Sequence, residues 1–111
     1  MAYKTKDSGK RVKFKSGFVR DTDKMKPRYD LIPPQVLKRL AELYARGAEK
    51  YGENNYQKAN SPEEYQRFIA SAFRHFEQWR AGDDDEDHAM GCIWNIIAYE
   101  YHKMKNEKDP K

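Results

Sequence analysis

Hydrophobic and polar positions follow the period of an amphipathic helix along much of the chain. From Gln35, apolar or small side chains return every three or four residues until Gly52, a residue type that commonly ends a helix in a left-handed conformation. The stripe consists of Val36, Leu37, Leu40, Leu43, Tyr44, Gly47, Ala48 and Tyr51. We therefore predict a first helix from residue 35 to about residue 52.

The tetrapeptide "SPEE" marks the start of a second helix. Ser61 suits the N-cap, Pro62 the first helical position and Glu64 the capping box. Apolar residues follow at helical spacing until Gly82 interrupts the pattern.

A third helix is predicted to start within "DDDEDH", residues 83–88, because acidic side chains favour a helix N-terminus. It is apolar nearly all round between Ala89 and Ala98, which is typical of a central, buried helix. No stretch alternates with period two over a useful length. The predicted fold class is therefore all-α: a small bundle of three main helices behind an extended basic N-terminal arm. We divide the chain into this arm, residues 1–34, and a helical domain, residues 35–111.

Basic residues are concentrated in the arm. Residues 1–29 contain ten Lys or Arg and three Asp, whereas residues 30–111 contain twelve Lys or Arg and fifteen Asp or Glu. The first segment is therefore net +7 and the second net −3. A basic arm can neutralise the phosphates of a nucleotide or a nucleic acid. Its first dozen residues can equally form a solvated tail.

Size and composition favour a homo-oligomer. Of the 111 residues 38% are hydrophobic, and a domain of this size buries only about two-thirds of the surface that its unfolded chain exposes. Many of the apolar residues are aromatic, a type that packs well at interfaces. We expect a dimer or tetramer whose subunits share part of the core.

Neither a disulfide nor a membrane segment is expected. The single cysteine, Cys92, excludes an internal disulfide, and its apolar surroundings predict a buried small side chain. No apolar stretch approaches the roughly 20 residues that span a bilayer, and no signal-peptide pattern opens the chain. We expect a soluble cytoplasmic protein without a membrane partner.

Carboxylates recur on one face of the first predicted helix. At 100° per residue, Glu42, Glu49 and Glu53 fall within about 40° of one another, roughly opposite the apolar stripe. Such a face is commonly solvated. Together with carboxylates from another helix, it also suits a hard cation such as Mg²⁺, which prefers oxygen ligands.

The third predicted helix has a polar face of its own. Asp84, His88 and Asn95 share it at helical spacing, and the first two could hold one cation between them. Asn95 needs a partner, because an unpaired buried amide costs about 1–3 kcal/mol. The acidic run can equally be a helix cap or a solvated loop, and His75 and His88, taken singly, are more often structural histidines than ligands.

Three segments together resemble a known family. They are "KPRYDLIPP" (26–34), "RGAEKYGENNYQK" (46–58) and "RHFEQWRAGDDDEDHAMGCIWN" (74–95). In this order they resemble the small phage dATP/dGTP diphosphohydrolases, which are MazG-like members of the all-α nucleoside-triphosphate pyrophosphatase superfamily. The resemblance covers roughly residues 16–103, and its most specific parts are "GAEKYG…NY" and "DEDH…WN".

The resemblance implies a hydrolase that uses Mg²⁺, or Mn²⁺ in its place. It would cleave a purine deoxynucleoside triphosphate, dATP or dGTP or both, into the monophosphate and pyrophosphate. Family members are oligomers whose subunits share helices, and a phage origin would place the activity in the host cytoplasm. The implied metal ligands are Glu49, Glu53, Asp84, Asp87 and His88. The implied contacts to phosphate, sugar and base are Lys26, Arg28, Arg46, Lys50, Tyr51, Asn55 and Asn95. The implied catalytic carboxylates are Glu49, Glu53 and Glu86, of which Glu53 or Glu86 would be the general base.

The chain departs from the acidic pattern of the wider superfamily. That pattern pairs an E-x-x-E with an E-x-x-D motif, whereas the first pair here reads Arg46-x-x-Glu49 and the second His88-x-x-Gly91. Only Glu49 carries over directly, so the acidic run 83–87 would supply the other ligands. The number of metal ions and the identity of the base stay open.

Two non-catalytic functions are alternatives to the hydrolase. A small protein could bind nucleic acid through the basic arm, or it could bind a nucleotide without hydrolysing it. No helix is basic on one face, and the predicted helical domain is acidic where a nucleic-acid-binding module is positive. We therefore do not expect nucleic acid to be a partner.

Overall fold

The chain forms two units, residues 1–31 and residues 32–111. The structure, a computed structural model, describes residues 4–22, 24 and 26–108. Three long helices make up the second unit: α1 (Pro34–Tyr51), α2 (Pro62–Ala81) and α3 (His88–Lys108). A short 3-10 helix, Asn55–Lys58, lies between α1 and α2. The predicted all-α class with three main helices is confirmed.

The ends of α2 follow from the residues that the sequence singled out. Ser61 accepts a hydrogen bond from the Glu64 N–H at 3.2 Å and donates to its carboxylate at 2.8 Å. That carboxylate also accepts the N–H of Asn60, the residue before the N-cap, at 3.3 Å. Ser61 thus satisfies the orphan N–H of Glu64, and the Glu64 side chain holds the chain that enters the helix. Gly82 ends the helix at φ 86°, in the left-handed region that glycine adopts without strain.

Helix α3 is the central element, because it packs against α2, α1 and the 3-10 helix. Its buried residues are His88, Met90, Gly91, Asn95, Ala98 and His102. In the described part of the chain, Met90 and Ala98 are the only fully buried hydrophobic residues. The prediction that α3 is central is therefore confirmed, whereas its isoleucines at positions 93, 96 and 97 stay exposed in the single chain. Cys92 is half-buried and not fully buried as its surroundings predicted.

Aromatic rings join the 3-10 helix to α3 and α1. The ring of Tyr56 lies 5.7 Å from that of Trp94 and 6.2 Å from that of Tyr44, centroid to centroid. Tyr56 is also held through its backbone, because its carbonyl oxygen lies 2.7 Å from Nε2 of the buried His102. This packing fixes the segment that follows α1.

The first unit contains an antiparallel hairpin of strands β1 (Arg11–Lys13) and β2 (Val19–Asp21) and a short 3-10 helix at Tyr29–Leu31. The sequence pattern did not predict the hairpin, because strands of three residues are too short to show an alternating period. Arg11 forms a two-pronged ion pair with Asp7 at 2.7 and 2.8 Å.

Within residues 4–22, 24 and 26–108, none of the helices combines the length and the apolar character needed to cross a membrane.

Candidate functional site

A cleft of about 830 Å³ opens between α1 and the segment that connects α2 to α3. Its charged lining residues are Arg39, Glu42, Arg46, Asp84, Asp85, Glu86 and Asp87. The other lining residues are Leu43, Gly47, Tyr51, Ser71, His75, Gly91, Trp94 and Asn95. Five carboxylates and two guanidinium groups therefore share one cavity, which is suited to a polyphosphate and a divalent cation.

Asp87 is held in place by α1 and by the helix that it begins. Arg39 donates to its two carboxylate oxygens at 2.9 and 2.7 Å. The same carboxylate accepts the N–H of Met90 at 3.3 Å, which is an N-cap contact to α3. The hydrogen bonds from Arg39 lower the pKa of Asp87 and raise the pKa of Arg39 itself. Asp87 is thus a charged anchor between the two helices.

His88, the first residue of α3, is hydrogen-bonded through both ring nitrogens. Nε2 lies 2.7 Å from the carboxylate of Asp85, and Nδ1 lies 2.9 Å from Nδ1 of His75 on α2. The ring is only 2% exposed. The hydrogen bond from His88 lowers the pKa of Asp85. The sequence predicted Asp84 as the neighbour of His88, at one turn of helix, but residues 83–87 are not helical and Asp85 takes that place.

Three carboxylates of the cleft are not engaged by other side chains. Within the part of the chain that the structure describes, the side chains of Glu42, Asp84 and Glu86 form no hydrogen bond or ion pair, and all three residues are exposed. Their oxygens are the ligand type that Mg²⁺ and Mn²⁺ prefer, so the donor chemistry suits such a cation, although among the described residues these three side chains do not form a cluster within 4.8 Å of one another.

The connecting segment also contains a possible metal-binding cluster. Ligand atoms of Asp85, Glu86 and His88 lie within 4.8 Å of one another. A cation bound through Nε2 of His88 would displace the hydrogen bond between Asp85 and His88, because that bond uses the same nitrogen.

The structure separates the predicted site residues into groups. Those that line the cleft are Arg46, Tyr51, Asp84, Glu86, Asp87 and Asn95, with His88 directly behind Asp85. The amide of Asn95 donates to the carbonyl oxygen of Gly91 at 2.8 Å, which supplies the partner that its burial requires.

Two predicted residues lie in a second cavity. Glu53 and Asn55 line this cavity of about 370 Å³, which shares Gly47, Tyr51 and Trp94 with the cleft. The two cavities therefore adjoin along α1 and the ring of Trp94.

The remaining predicted residues lie elsewhere. Glu49 and Lys50 are exposed on α1 and do not line the cleft. The ammonium group of Lys50 sits 5.0 Å from the ring centroid of Tyr51. Lys26 and Arg28 belong to the first unit, where Arg28 donates to Asp30 at 2.9 and 2.7 Å.

A protein-family comparison fits this arrangement. The family model described as "dATP/dGTP diphosphohydrolase, N-terminal" matches residues 16–111. The chain belongs to this dATP/dGTP diphosphohydrolase family. No curated protein and no solved structure matches the chain. The match confirms the family that the sequence resembles, and its name is that of a hydrolase of purine deoxynucleotides.

The sequence did not single out several residues that line the cleft. Arg39 was not predicted, His75 was weighed only as a structural histidine, and Asp85 was included only as part of the acidic run 83–87. Glu42 was grouped with Glu49 although the two lie seven residues, or about 10.5 Å, apart along the helix axis. A signal for Arg39 was available, because it lies at helical spacing from Glu42 and Arg46. Only the tertiary structure shows that His75 and Asp85 both bond to His88.

Proposed function

We propose that this member of the dATP/dGTP diphosphohydrolase family hydrolyses purine deoxynucleoside triphosphates, dATP or dGTP or both, to the monophosphate and pyrophosphate. The observation that carries the proposal is the cleft, in which uncommitted carboxylates face two arginines in a chain of this family. Hydrolysis of a phosphoanhydride needs positive charge against the phosphate oxygens and a positioned water. The cleft contains side chains for both needs.

The carboxylates of Glu42, Asp84 and Glu86 are the groups that we propose to hold Mg²⁺ or Mn²⁺. When bound, such a cation neutralises phosphate charge and makes a water molecule more acidic. Glu49 and Glu53 remain predicted ligands. Because Asp87 and His88 are engaged by Arg39 and Asp85, we propose that they shape the site and do not bind the cation directly.

The two adjoining cavities suggest how a nucleotide lies along α1. We propose that Arg46, and Arg39 through Nη1, the nitrogen outside its pair with Asp87, contact the phosphates in the cleft, whereas the sugar and base extend toward the second cavity. The rings of Tyr51 and Trp94 border both cavities and offer faces on which a purine can stack. Asn55 supplies hydrogen-bonding groups for the base edge. Lys26, Arg28 and Lys50 are proposed as further phosphate contacts, on the evidence of their charge and of the family resemblance alone.

A homo-oligomer is the second part of the proposal. A groove of about 380 Å³ between α2 and α3 is lined by Ile69, Ala72, Phe73, Phe76, Cys92, Asn95, Ile96 and Tyr99. Phe73, which lines it, is 69% exposed, while only two hydrophobic residues of the described chain are buried. An exposed apolar face beside so small a core is typical of a shared interface. We propose that a second copy of the chain covers it. Since deoxynucleotides are cytoplasmic metabolites, we propose that compartment for the activity, in the host if the chain is of phage origin.

Pyrophosphate release from each of the eight common nucleoside triphosphates tests the proposal. The assay is run with Mg²⁺, with Mn²⁺ and with EDTA, and the products are separated by chromatography. We expect cation-dependent formation of the monophosphate, fastest with dATP or dGTP. Glu100→Gln, an exposed carboxylate of α3 outside the cleft, is the matched control for Glu42→Gln. Tight nucleotide binding without turnover of any triphosphate would refute the proposed hydrolase activity and indicate a nucleotide-binding protein.

A further inference from the structure

His102 of α3 is buried against two aromatic rings of α2. It is 2% exposed, and its ring stacks on that of Tyr65 at 4.9 Å and on that of Phe68 at 5.9 Å, centroid to centroid. The angles between the ring planes are 30° and 14°. A buried ring in contact with two others has little room to move, so His102 has a fixed position in the helical unit.

The imidazole of His102 is hydrogen-bonded to the backbone of the 3-10 helix Asn55–Lys58. Its Nε2 lies 2.7 Å from the carbonyl oxygen of Tyr56, which is 46 positions away along the chain. A carbonyl oxygen only accepts, so Nε2 donates whether the ring is neutral or charged. The same oxygen accepts the N–H of Ala59 at 3.4 Å. His102 therefore connects this 3-10 helix to the interface of α2 and α3.

The chain around this 3-10 helix has a conformation that needs tertiary support. We call residues 52–58 the wall segment. Gly52 and Asn54 have φ values of 92° and 60°, and Asn54 is the only described residue other than glycine with a positive φ. Such a conformation persists only where the surroundings maintain it, and 3-10 hydrogen bonds have poorer geometry than those of an α-helix. Contacts such as that from His102 therefore stabilise the wall segment.

The wall segment borders the cavities beside the cleft. Asn55 and Tyr56 line the second cavity and also a third cavity of about 490 Å³. His102 lines neither of them, and residues 52–58 do not line the cleft in which we place the phosphates. A change at His102 therefore reaches a bound nucleotide through the wall segment, on the side of the sugar and base.

We propose that His102 is a positioning residue for the nucleotide: its hydrogen bond to Tyr56 holds the wall segment in the conformation that receives the sugar and base. The inference deepens the proposed function and rests on it. Because the phosphates and the attacking water are placed in the cleft, loss of this hydrogen bond should weaken nucleotide binding and leave the chemical step nearly unchanged.

Two substitutions of His102 isolate the hydrogen bond, since both remove the stacked ring. In His102→Gln the amide nitrogen can reach the position of Nε2 and donate to Tyr56, whereas in His102→Leu an apolar side chain of similar size donates nothing. Circular dichroism checks that each variant is folded. If His102→Leu does not fold, His102→Asn takes its place, because its amide is one methylene shorter and does not reach the Tyr56 oxygen.

Amide hydrogen exchange tests the wall segment without any nucleotide. The N–H of Gln57 donates to the carbonyl oxygen of Asn54 at 3.0 Å, so its exchange reports local opening of the segment. We expect this N–H to exchange at least about 10-fold faster in His102→Leu than in the wild-type protein, and at nearly the wild-type rate in His102→Gln. The N–H of Gly82, at the C-terminal end of α2, is the internal control and should change less than about 3-fold. Equal exchange of Gln57 in the wild-type protein and in His102→Leu would overturn the inference whether or not the chain is an enzyme.

Steady-state kinetics with dATP and with dGTP tests the role in binding. We expect KM to rise about 10-fold in His102→Leu while kcat changes less than about 3-fold. Both constants of His102→Gln should stay within about 3-fold of the wild-type values, because the donor is restored. A merely structural role would lower the stability of both variants and leave their KM values equal.

Two kinetic outcomes would refute the inference and leave the hydrolase proposal intact. One is a wild-type KM in folded His102→Leu, and the other is the same rise in KM in His102→Leu and His102→Gln. If the wild-type chain hydrolyses no nucleotide, the proposed function and the role in binding fail together. The exchange rates then still decide whether His102 holds the wall segment.

Discussion

Arg39 of α1 and Asp87 at the start of α3 form a two-pronged ion pair, with distances of 2.9 and 2.7 Å between the guanidinium nitrogens and the carboxylate oxygens. The pair joins residues 48 positions apart and ties α1 to the segment that carries the acidic residues. Both residues line the cleft, so this contact helps to set the distance between its walls.

Substitutions of Asp87 separate its two structural roles. Asp87→Asn keeps an oxygen that can cap α3 but loses the charge that faces Arg39, whereas Asp87→Ala loses both. We expect both variants to unfold at lower temperature than the wild-type protein. The alanine variant should be less stable than the asparagine variant by about 0.5–2 kcal/mol, the usual value of an N-cap. Urea unfolding followed by circular dichroism measures the difference. Equal stabilities would mean that the contact to the Met90 N–H contributes nothing.

The same pair predicts a dependence of stability on pH. Folding lowers the pKa of Asp87 through the hydrogen bonds from Arg39, so the ionised carboxylate stabilises the folded state. This contribution is complete above the ordinary carboxyl pKa of about 4 and is lost as the pH falls below it. The wild-type protein should therefore melt at a higher temperature than Asp87→Asn at about pH 7 and 5, and the difference should be smaller at about pH 3. A difference in melting temperature that increases in acid would contradict the claim that ionised Asp87 stabilises the folded state.

Substitutions of two glutamates on α1 test whether the cleft or the family resemblance identifies the catalytic carboxylate. Glu42 lines the cleft and Glu49 does not. We expect Glu42→Gln to lower kcat about 100-fold, because it removes a charge from the proposed cation site. Isothermal titration with Mn²⁺ should show weaker binding in the same variant. The resemblance predicts an equal loss for Glu49→Gln, and full activity of that variant would remove Glu49 from the site.

The oligomer proposal is tested at Phe73, which lines the apolar groove. Phe73→Glu places a charge on the face that we propose to be covered by a second copy. We expect analytical ultracentrifugation to show the wild-type chain as a dimer or tetramer and the variant shifted to monomer. Lys103→Glu, on an exposed position of α3, changes charge without touching the groove and should leave the assembly unchanged. A wild-type chain that sediments as a monomer at all concentrations would refute this part of the proposal.

The basic residues of the first unit are tested in matched pairs. Lys26→Ala combined with Arg28→Ala should raise KM several-fold at nearly constant kcat if these side chains contact phosphate. Lys13→Ala combined with Lys15→Ala removes the same charge from residues outside the family match. If both double variants raise KM equally, general electrostatic attraction explains the effect and no specific contact is needed.

Much of the fold was predictable because its signals are local. The capping box of Ser61 and Glu64, the stop at Gly82 and the helical period depend on residues within one or two turns, and the structure has the helices, the capping box and the stop as predicted. Family membership was also predictable, because the motifs that carry it and their order can be read directly from the sequence. The hairpin at residues 11–21 was not predicted, because its strands of three residues each are too short to show an alternating pattern.

The sequence by itself determined the three helices, their ends and the set of charged residues available to a site. Only the tertiary structure decided which of these residues meet. His75 and His88 lie 13 positions apart on different helices, and Asp85 replaces Asp84 beside His88 because helix geometry begins only at residue 88. Glu42 lines the cleft and Glu49 does not, although both lie between Arg39 and Tyr51, which also line it. Helical periodicity fixes the angle of a side chain about its own axis, whereas the contacts between axes depend on packing that no local period encodes.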